Sequence, residues 1–231
     1  LHVVLSAHPS MAQLHRMIDD PCPPVPCSHA RRVFVAAVGD VNDIGTWSGI
    51  PYHLFIAGRS QGLFDVGLPL AAQGWSWRLR RWRWNAGRGL RGDRLGGYQY
   101  STTFLEQLWE PIRRQIAGGR VLNNFQLFAP SVVADPSIEK WFYLDQTLMQ
   151  LFDAYGIRRT IGRRIAEDAL QREAEGYNAA AGVIVHSHWA ARSVSEHYGI
   201  AGDKIHVVVP GANLEEALYA AWEREVASSA P

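Results

Sequence analysis

Cysteine is nearly absent: the chain of 231 residues has two, Cys22 and Cys27, within Pro21-Cys22-Pro23-Pro24-Val25-Pro26-Cys27. Nothing near them has the four-ligand spacing of a structural zinc site, so the pair reads as free thiols in a reducing compartment. Net charge is also missing. Twenty-three basic and 22 acidic side chains leave +1, too little to name an anionic partner from the overall balance, so any electrostatic argument has to come from local clusters. Long apolar runs are lacking as well. Leu1 to Leu5 is far too short to cross a bilayer and no basic region precedes it, so neither a membrane span nor a secretory leader is expected and a cytoplasmic location follows by default. No G-x-G-x-x-G or Walker loop follows the first strand-like run. A G-x-S-x-G elbow is excluded too, because Gly45 and Ser48 lie three positions apart where the elbow needs two. These absences disfavour a Rossmann enzyme that uses a nicotinamide cofactor.

What is present suffices for one sizeable core: 47% of residues are hydrophobic and 19% charged. Residues 1–30 carry four prolines between positions 21 and 26, lack a sustained period, and read as an irregular N-terminal extension. From Arg31 the pattern changes. Val33 to Val38 is a continuous apolar run, as expected of a strand buried on both faces in a parallel sheet, and the loop Gly39 to Gly45 leads into a helix through about Gln61 that Gly62 closes. A second strand is predicted over Leu63 to Leu68. Thr103 and Glu106 form a capping-box pattern, and Phe104, Leu108, Ile112 and Ile116 then line one helix face up to Gly118-Gly119, with Pro111 expected to kink it. Strands are predicted over Val121 to Phe128 and Trp141 to Leu144. Ile161, Ile165 and Ala169 or Leu170 mark a helix to about Tyr177. Strand Gly182 to His186, N-cap Ser187, a helix to Tyr198 stopped by Gly199, and strand Ile205 to Val209 complete the pattern. This alternation predicts an α/β fold with a Rossmann-like, doubly wound, mainly parallel sheet and helices on both faces; ligands bind such sheets at the carboxyl ends of the strands.

The residues in those loops resemble a known family. Gly39-Asp40 with Gly45-Thr46-Trp47-Ser48-Gly49-Ile50-Pro51-Tyr52-His53-Leu54, then Phe142-Tyr143-Leu144-Asp145-Gln146-Thr147, then Val183-Ile184-Val185-His186-Ser187-His188-Trp189 through Tyr198-Gly199-Ile200 and Lys204 to Asn213, resemble in order the N-terminal half of family 4 glycosyltransferases. These are retaining enzymes built from two Rossmann-like domains, the GT-B architecture. The resemblance covers residues 31 to 214 and implies an acceptor-side domain, with Pro210, Gly211 and Asn213 at the hinge to a sugar-nucleotide-binding half. Twenty-one residues follow Pro210, too few for that second domain. The resemblance therefore implies a domain inactive by itself, which transfers sugar from a nucleotide-sugar donor only together with the other half. The alternative is a non-catalytic binding or scaffold module that associates with a donor-domain partner, with a second copy of itself, or with an anionic membrane surface. Glu215 and Glu223 have the family's eight-residue glutamate spacing but no sheet to hold them, and residues 215–231 are expected to form a C-terminal helix or tail.

The candidate cleft comprises Gly45, Thr46, Trp47, Ser48, Gly49, Tyr52, Gln146, Ser187 and Trp189, with Asp145 as the candidate catalytic group. Small residues opening a helix leave N–H groups free for a phosphate or sugar, though the same glycines suit an ordinary tight turn. Asp145, at a strand end, could orient an acceptor hydroxyl, act as a base, or cap the next helix. Ser187 is fully explained as an N-cap, and Trp47 and Trp189 suit either a sugar-stacking wall or the core. His186 and His188 lack an identifiable third ligand for a metal. The resemblance likewise implies no catalytic metal and no resident cofactor, and as partner a sugar or lipid-linked acceptor. One charged cluster remains. Trp75-Ser76-Trp77-Arg78-Leu79-Arg80-Arg81-Trp82-Arg83-Trp84 suits peripheral contact with an anionic membrane through Arg78, Arg80, Arg81 and Arg83, at the inner face of the cell membrane. It also suits a helix with core tryptophans and solvated arginines, and more remotely single-stranded nucleic acid.

Overall fold

The computed structural model describes residues 31–72 and 74–211. The expected hinge residue Asn213, the glutamates Glu215 and Glu223, and the segments 1–30 and 215–231 lie outside the described residues. Among the described residues, six strands form one sheet: β1 (Val33–Val38), β2 (Val66–Leu70), β3 (Arg120–Asn123), β4 (Glu139–Leu144), β5 (Gly182–Val185) and β6 (Ile205–Val207). Their spatial order is β2-β1-β3-β4-β5-β6, and every pairing is parallel. This is an α/β, Rossmann-like fold. The strand order reverses between β1 and β3, which marks the crevice where such sheets bind ligands. The apolar run of β1 suits an interior strand, flanked by β2 and β3, and Phe34 to Ala37 are buried there. At the outer rim, β2 carries Pro69 in register with Ala37.

The helices are α1 (Ile50–Ser60), α2 (Trp75–Gly89), α3 (Thr102–Ile116), α4 (Pro130–Val133), α5 (Leu148–Ala154), α6 (Ile157–Ile161), α7 (Arg163–Ala179) and α8 (His188–Glu196). Among the described residues, no helix is long and apolar enough to cross a membrane. Several boundaries differ from the sequence reading for identifiable reasons. β2 starts later than predicted because Leu63 still belongs to the end of α1: its N–H donates to Gly58 O at 2.8 Å and Gly62 N to Arg59 O at 3.1 Å, the paired bonds of a Schellman stop. β3 ends at Asn123 rather than Phe128. There the Asn123 amide accepts from Phe125 N at 3.1 Å and donates to Leu127 O at 3.2 Å, so a side chain takes over from the ladder. α3 is capped by Ser101, whose hydroxyl accepts from Phe104 N at 3.2 Å, whereas Glu106 receives Ser131 N at 3.0 Å and the Ser131 hydroxyl at 2.6 Å. Pro111 sits within the continuous α3 on its exposed side, opposite the buried Leu105, Leu108, Trp109, Ile112 and Ile116. Ile161 closes α6, separated from α7 by Gly162 at φ 88°.

A row of rings runs through the main core. Trp109 meets Phe128 at 4.8 Å between centroids, Phe128 meets Phe142 at 4.9 Å, Phe142 meets Tyr177 at 4.9 Å and Tyr177 meets Tyr198 at 5.1 Å. Pairs of this kind contribute about 0.5–1.5 kcal/mol each beyond their area. Glu173 lies fully buried beside them on α7. Its carboxylate accepts from Leu148 N at 2.8 and 3.0 Å, from the Tyr177 hydroxyl at 2.7 Å and from the Tyr198 hydroxyl. It thereby ties the start of α5, and with it the loop after β4, to α7 and to the turn after α8.

Candidate functional site

Because all six strands run the same way, the loops after β1, β3, β4 and β5 emerge along one edge of the sheet, on either side of the reversal in strand order. A small recess lies there, lined by Trp47, Ile50 and Pro51 from the first loop and helix, Asn124 and Gln126 after β3, Tyr143 to Asp145 at the end of β4, and His186 after β5. Its volume of about 30 Å³ is that of one water molecule or one hydroxyl group. This is one wall of a site rather than an enclosed one.

The first loop holds an unusual backbone. Thr46–Gly49 form a short 3-10 turn in which Trp47 (φ 49°, ψ 48°) and Ser48 (φ 57°, ψ 29°) are left-handed, followed by Gly49 at φ 79°. A left-handed non-glycine residue costs about 1–2 kcal/mol, and two in succession persist only where the surroundings impose them. The restraints are visible. Trp47 Nε1 donates to Val38 O at 2.8 Å, Thr46 Oγ1 accepts from Asp40 N at 3.1 Å, and a side chain at Gly49 would press on His53 at 3.1 Å. The loop thus pins the Trp47 indole, 43% exposed, beside the recess. The N-terminus of α1 that follows has no side-chain cap.

Two of the residues lining the recess each carry a buried side-chain atom with no hydrogen-bond partner among the described residues, Asn124 Oδ1 and His186 Nε2; Trp109 Nε1 and Arg158 Nε, away from the recess, share that state. Asn124 is only 8% exposed, and its amide nitrogen is anchored to Ala36 O at 3.4 Å. The unpaired oxygen carries a desolvation cost of about 1–3 kcal/mol unless a ligand or water donates to it. His186 packs against Tyr143, with ring centroids 4.4 Å apart. Burial lowers its pKa, opposed by the charge of Asp145, so the neutral ring prevails near pH 7 and its free nitrogen can donate or accept according to tautomer. An acceptor, a switchable ring nitrogen, a carboxylate and an indole wall suit a polyhydroxylated ligand, since each hydroxyl both donates and accepts.

Of the residues expected from the sequence, Trp47 and Asp145 line this recess, and Gly45, Thr46, Ser48 and Gly49 build the loop that presents Trp47. Gln146 takes part through its backbone oxygen, which accepts from Gln126 Nε2 at 3.5 Å. Tyr52 instead packs edge-on against His53 on α1. Ser187 serves as the N-cap of α8, accepting from Ala190 N at 3.2 Å. Trp189 faces a different cavity, of about 410 Å³, with Gln150, Arg192 and His197 between α5 and α8. Arg78, Arg80, Arg81 and Arg83 are exposed on α2, and Pro210 and Gly211 are exposed beyond β6. A roomier cavity of about 640 Å³ lies between α2 and α3, lined by Trp77, Arg80, Glu106 and Glu110. Its polar groups are open to solvent or already paired, so the smaller recess with its orphaned atoms is the better candidate. Asn124 and Gln126 carry no signal in the sequence as site residues, whereas Tyr143 and His186 stand within the runs that carry the resemblance, His186 being weighed otherwise only as a metal ligand.

No family model, curated protein or solved structure matches the chain.

Proposed function

We propose that residues 31–214 form the acceptor-side domain of a retaining glycosyltransferase of the two-Rossmann-domain type, with the recess at the β1/β3 crevice holding a hydroxyl of the acceptor sugar. The observation that carries this reading is the pair of unsatisfied buried atoms, Asn124 Oδ1 and His186 Nε2, beside the Asp145 carboxylate and the pinned Trp47. The resemblance of the loops after β1, β4 and β5 to family 4 glycosyltransferases supports it.

In this mechanism Trp47 stacks on the apolar face of the sugar while Asn124 accepts from the reacting hydroxyl and holds it in place; fixed geometry of this kind removes a large part of the barrier. A facing domain presents a nucleotide sugar. The acceptor oxygen bonds to the anomeric carbon, the bond from that carbon to the diphosphate oxygen breaks, and the hydroxyl proton passes to Asp145 or to the departing diphosphate.

The test is ligand-observed NMR of the full chain against a panel of neutral mono- and disaccharides, with Trp47→Ala, Asn124→Ala and Asp145→Asn as variants. Binding to at least one saccharide, weakened about tenfold or more by Trp47→Ala and by Asn124→Ala, is expected, since each loss is worth about 1.4 kcal/mol or more. A panel in which no saccharide binds, or binding indifferent to all three substitutions, refutes the reading.

A further inference from the structure

Helix α2 turns one face to the body of the protein and leaves the other uncovered. On the inner face Trp84 Nε1 donates to Gly96 O at 3.1 Å, and Arg88, buried, donates to Arg94 O at 2.5 Å and to Ile161 O at 3.0 Å. Trp77 is half-buried on the same side. The outer face is apolar. Trp75 is 74% exposed, Leu79 42%, Trp82 66% and Leu90, just past the helix end, 90%. Spacings of four, three and eight residues place these four side chains in one stripe along the helix. Arg78 and Arg83 flank the stripe on either side, Arg80 and Arg81 lie farther round, and α2 contains no acidic residue.

The sequence reading left open a helix with core tryptophans, and the exposure of Trp75 and Trp82 removes that alternative for these two. Indole rings exposed in a row cost solubility unless something apolar receives them. Their partner has to be apolar in depth and anionic at its surface. Indoles settle at the headgroup level of a bilayer, aliphatic groups reach the acyl boundary, and flanking guanidinium groups meet phosphates. Only four residues separate the end of β2 from the start of α2, so its first turn lies near the edge of the sheet that carries the recess.

We infer that the outer face of α2 docks in the plane of an anionic lipid bilayer, with Trp75, Leu79, Trp82 and Leu90 inserted at the headgroup boundary and Arg78 and Arg83 on lipid phosphates. This goes beyond the proposed transfer reaction and stands or falls separately from it.

The experiment is co-sedimentation of the full chain with vesicles of phosphatidylcholine alone and of phosphatidylcholine containing about one third phosphatidylglycerol. In parallel, tryptophan emission is recorded with lipids brominated on the acyl chain. Binding to the anionic vesicles is expected, with quenching of tryptophan emission. Arg78→Gln with Arg83→Gln lowers the partition coefficient roughly twenty- to thirtyfold, about fivefold per charge. Trp75→Ser with Trp82→Ser abolishes the quenching while the thermal midpoint is unchanged, because both side chains are exposed. Failure to bind anionic vesicles, equal binding to neutral ones, or unquenched emission overturns the inference. So does tighter binding to a single-stranded oligonucleotide than to the vesicles, which would assign the same side chains to base stacking.

Discussion

Replacing Glu173 by Gln should flatten the pH dependence of stability in a defined window. The carboxyl is fully buried, and burial raises its pKa from 4.5 to about 7 even though three groups donate to it: Tyr198, Leu148 N and Tyr177. Desolvation wins over the hydrogen bonds. With a folded value above the unfolded one, the native protein holds the proton more tightly, so the stabilisation is complete below about pH 4.5 and is lost as pH rises through about 7. A shift of this size corresponds to about 3 kcal/mol, most of it between about pH 5 and about pH 8. Both tyrosines stay neutral, because burial and the neighbouring carboxyl raise their pKa values. Urea unfolding of the wild type and of Glu173→Gln at the two pH values isolates the contribution as a difference of differences, which cancels the other titrating groups. The wild type should lose about 2 to 3 kcal/mol more than the variant on going to the higher pH. Parallel pH profiles would refute the reasoning, and a wild type that gains stability with pH relative to the variant would reverse its sign.

Ser48→Gly relieves a left-handed residue and should stabilise the domain by about 1 kcal/mol, a rise of roughly 2–4 °C in the thermal midpoint; no rise would mean that the loop is not strained. Gly49→Ala, at φ 79° and with its new methyl group 3.1 Å from His53, should lower the midpoint by a similar amount or more. Arg88→Met keeps the aliphatic stem but leaves Arg94 O and Ile161 O without their donor. A loss of about 2–3 kcal/mol in chemical unfolding is expected, and a loss under about 0.5 kcal/mol would show that the clamp between α2 and α6 is idle.

The parts of the fold legible in the sequence are those specified by neighbours along the chain. β1, β4, β5, the Ser187 cap and the glycine stops at Gly62 and Gly199 rest on apolar runs and capping chemistry that span a few residues. The errors come from partners far away. Glu106 looks like half of a capping box until it meets Ser131, 25 residues on. Asn123 sits in an apolar run that reads as strand, yet its side chain ends the ladder. Pro69 argues against a central strand and is tolerated because β2 is at the rim. For the site, Asp145 and the Trp47 loop were legible as strand-end residues, whereas Asn124 and His186 matter through a shortage of partners that exists only once four loops converge.

The proline in β2 also bears on how copies of this protein can meet. An outer strand offers its unused amides to any extended segment that approaches, the usual route to runaway sheet growth. Pro69 has no such amide to give, so a foreign strand laid against that rim would find a gap at the fourth position of a five-residue run. Self-association on that side would have to rely on side chains, which limits it to contacts that can be shaped and reversed.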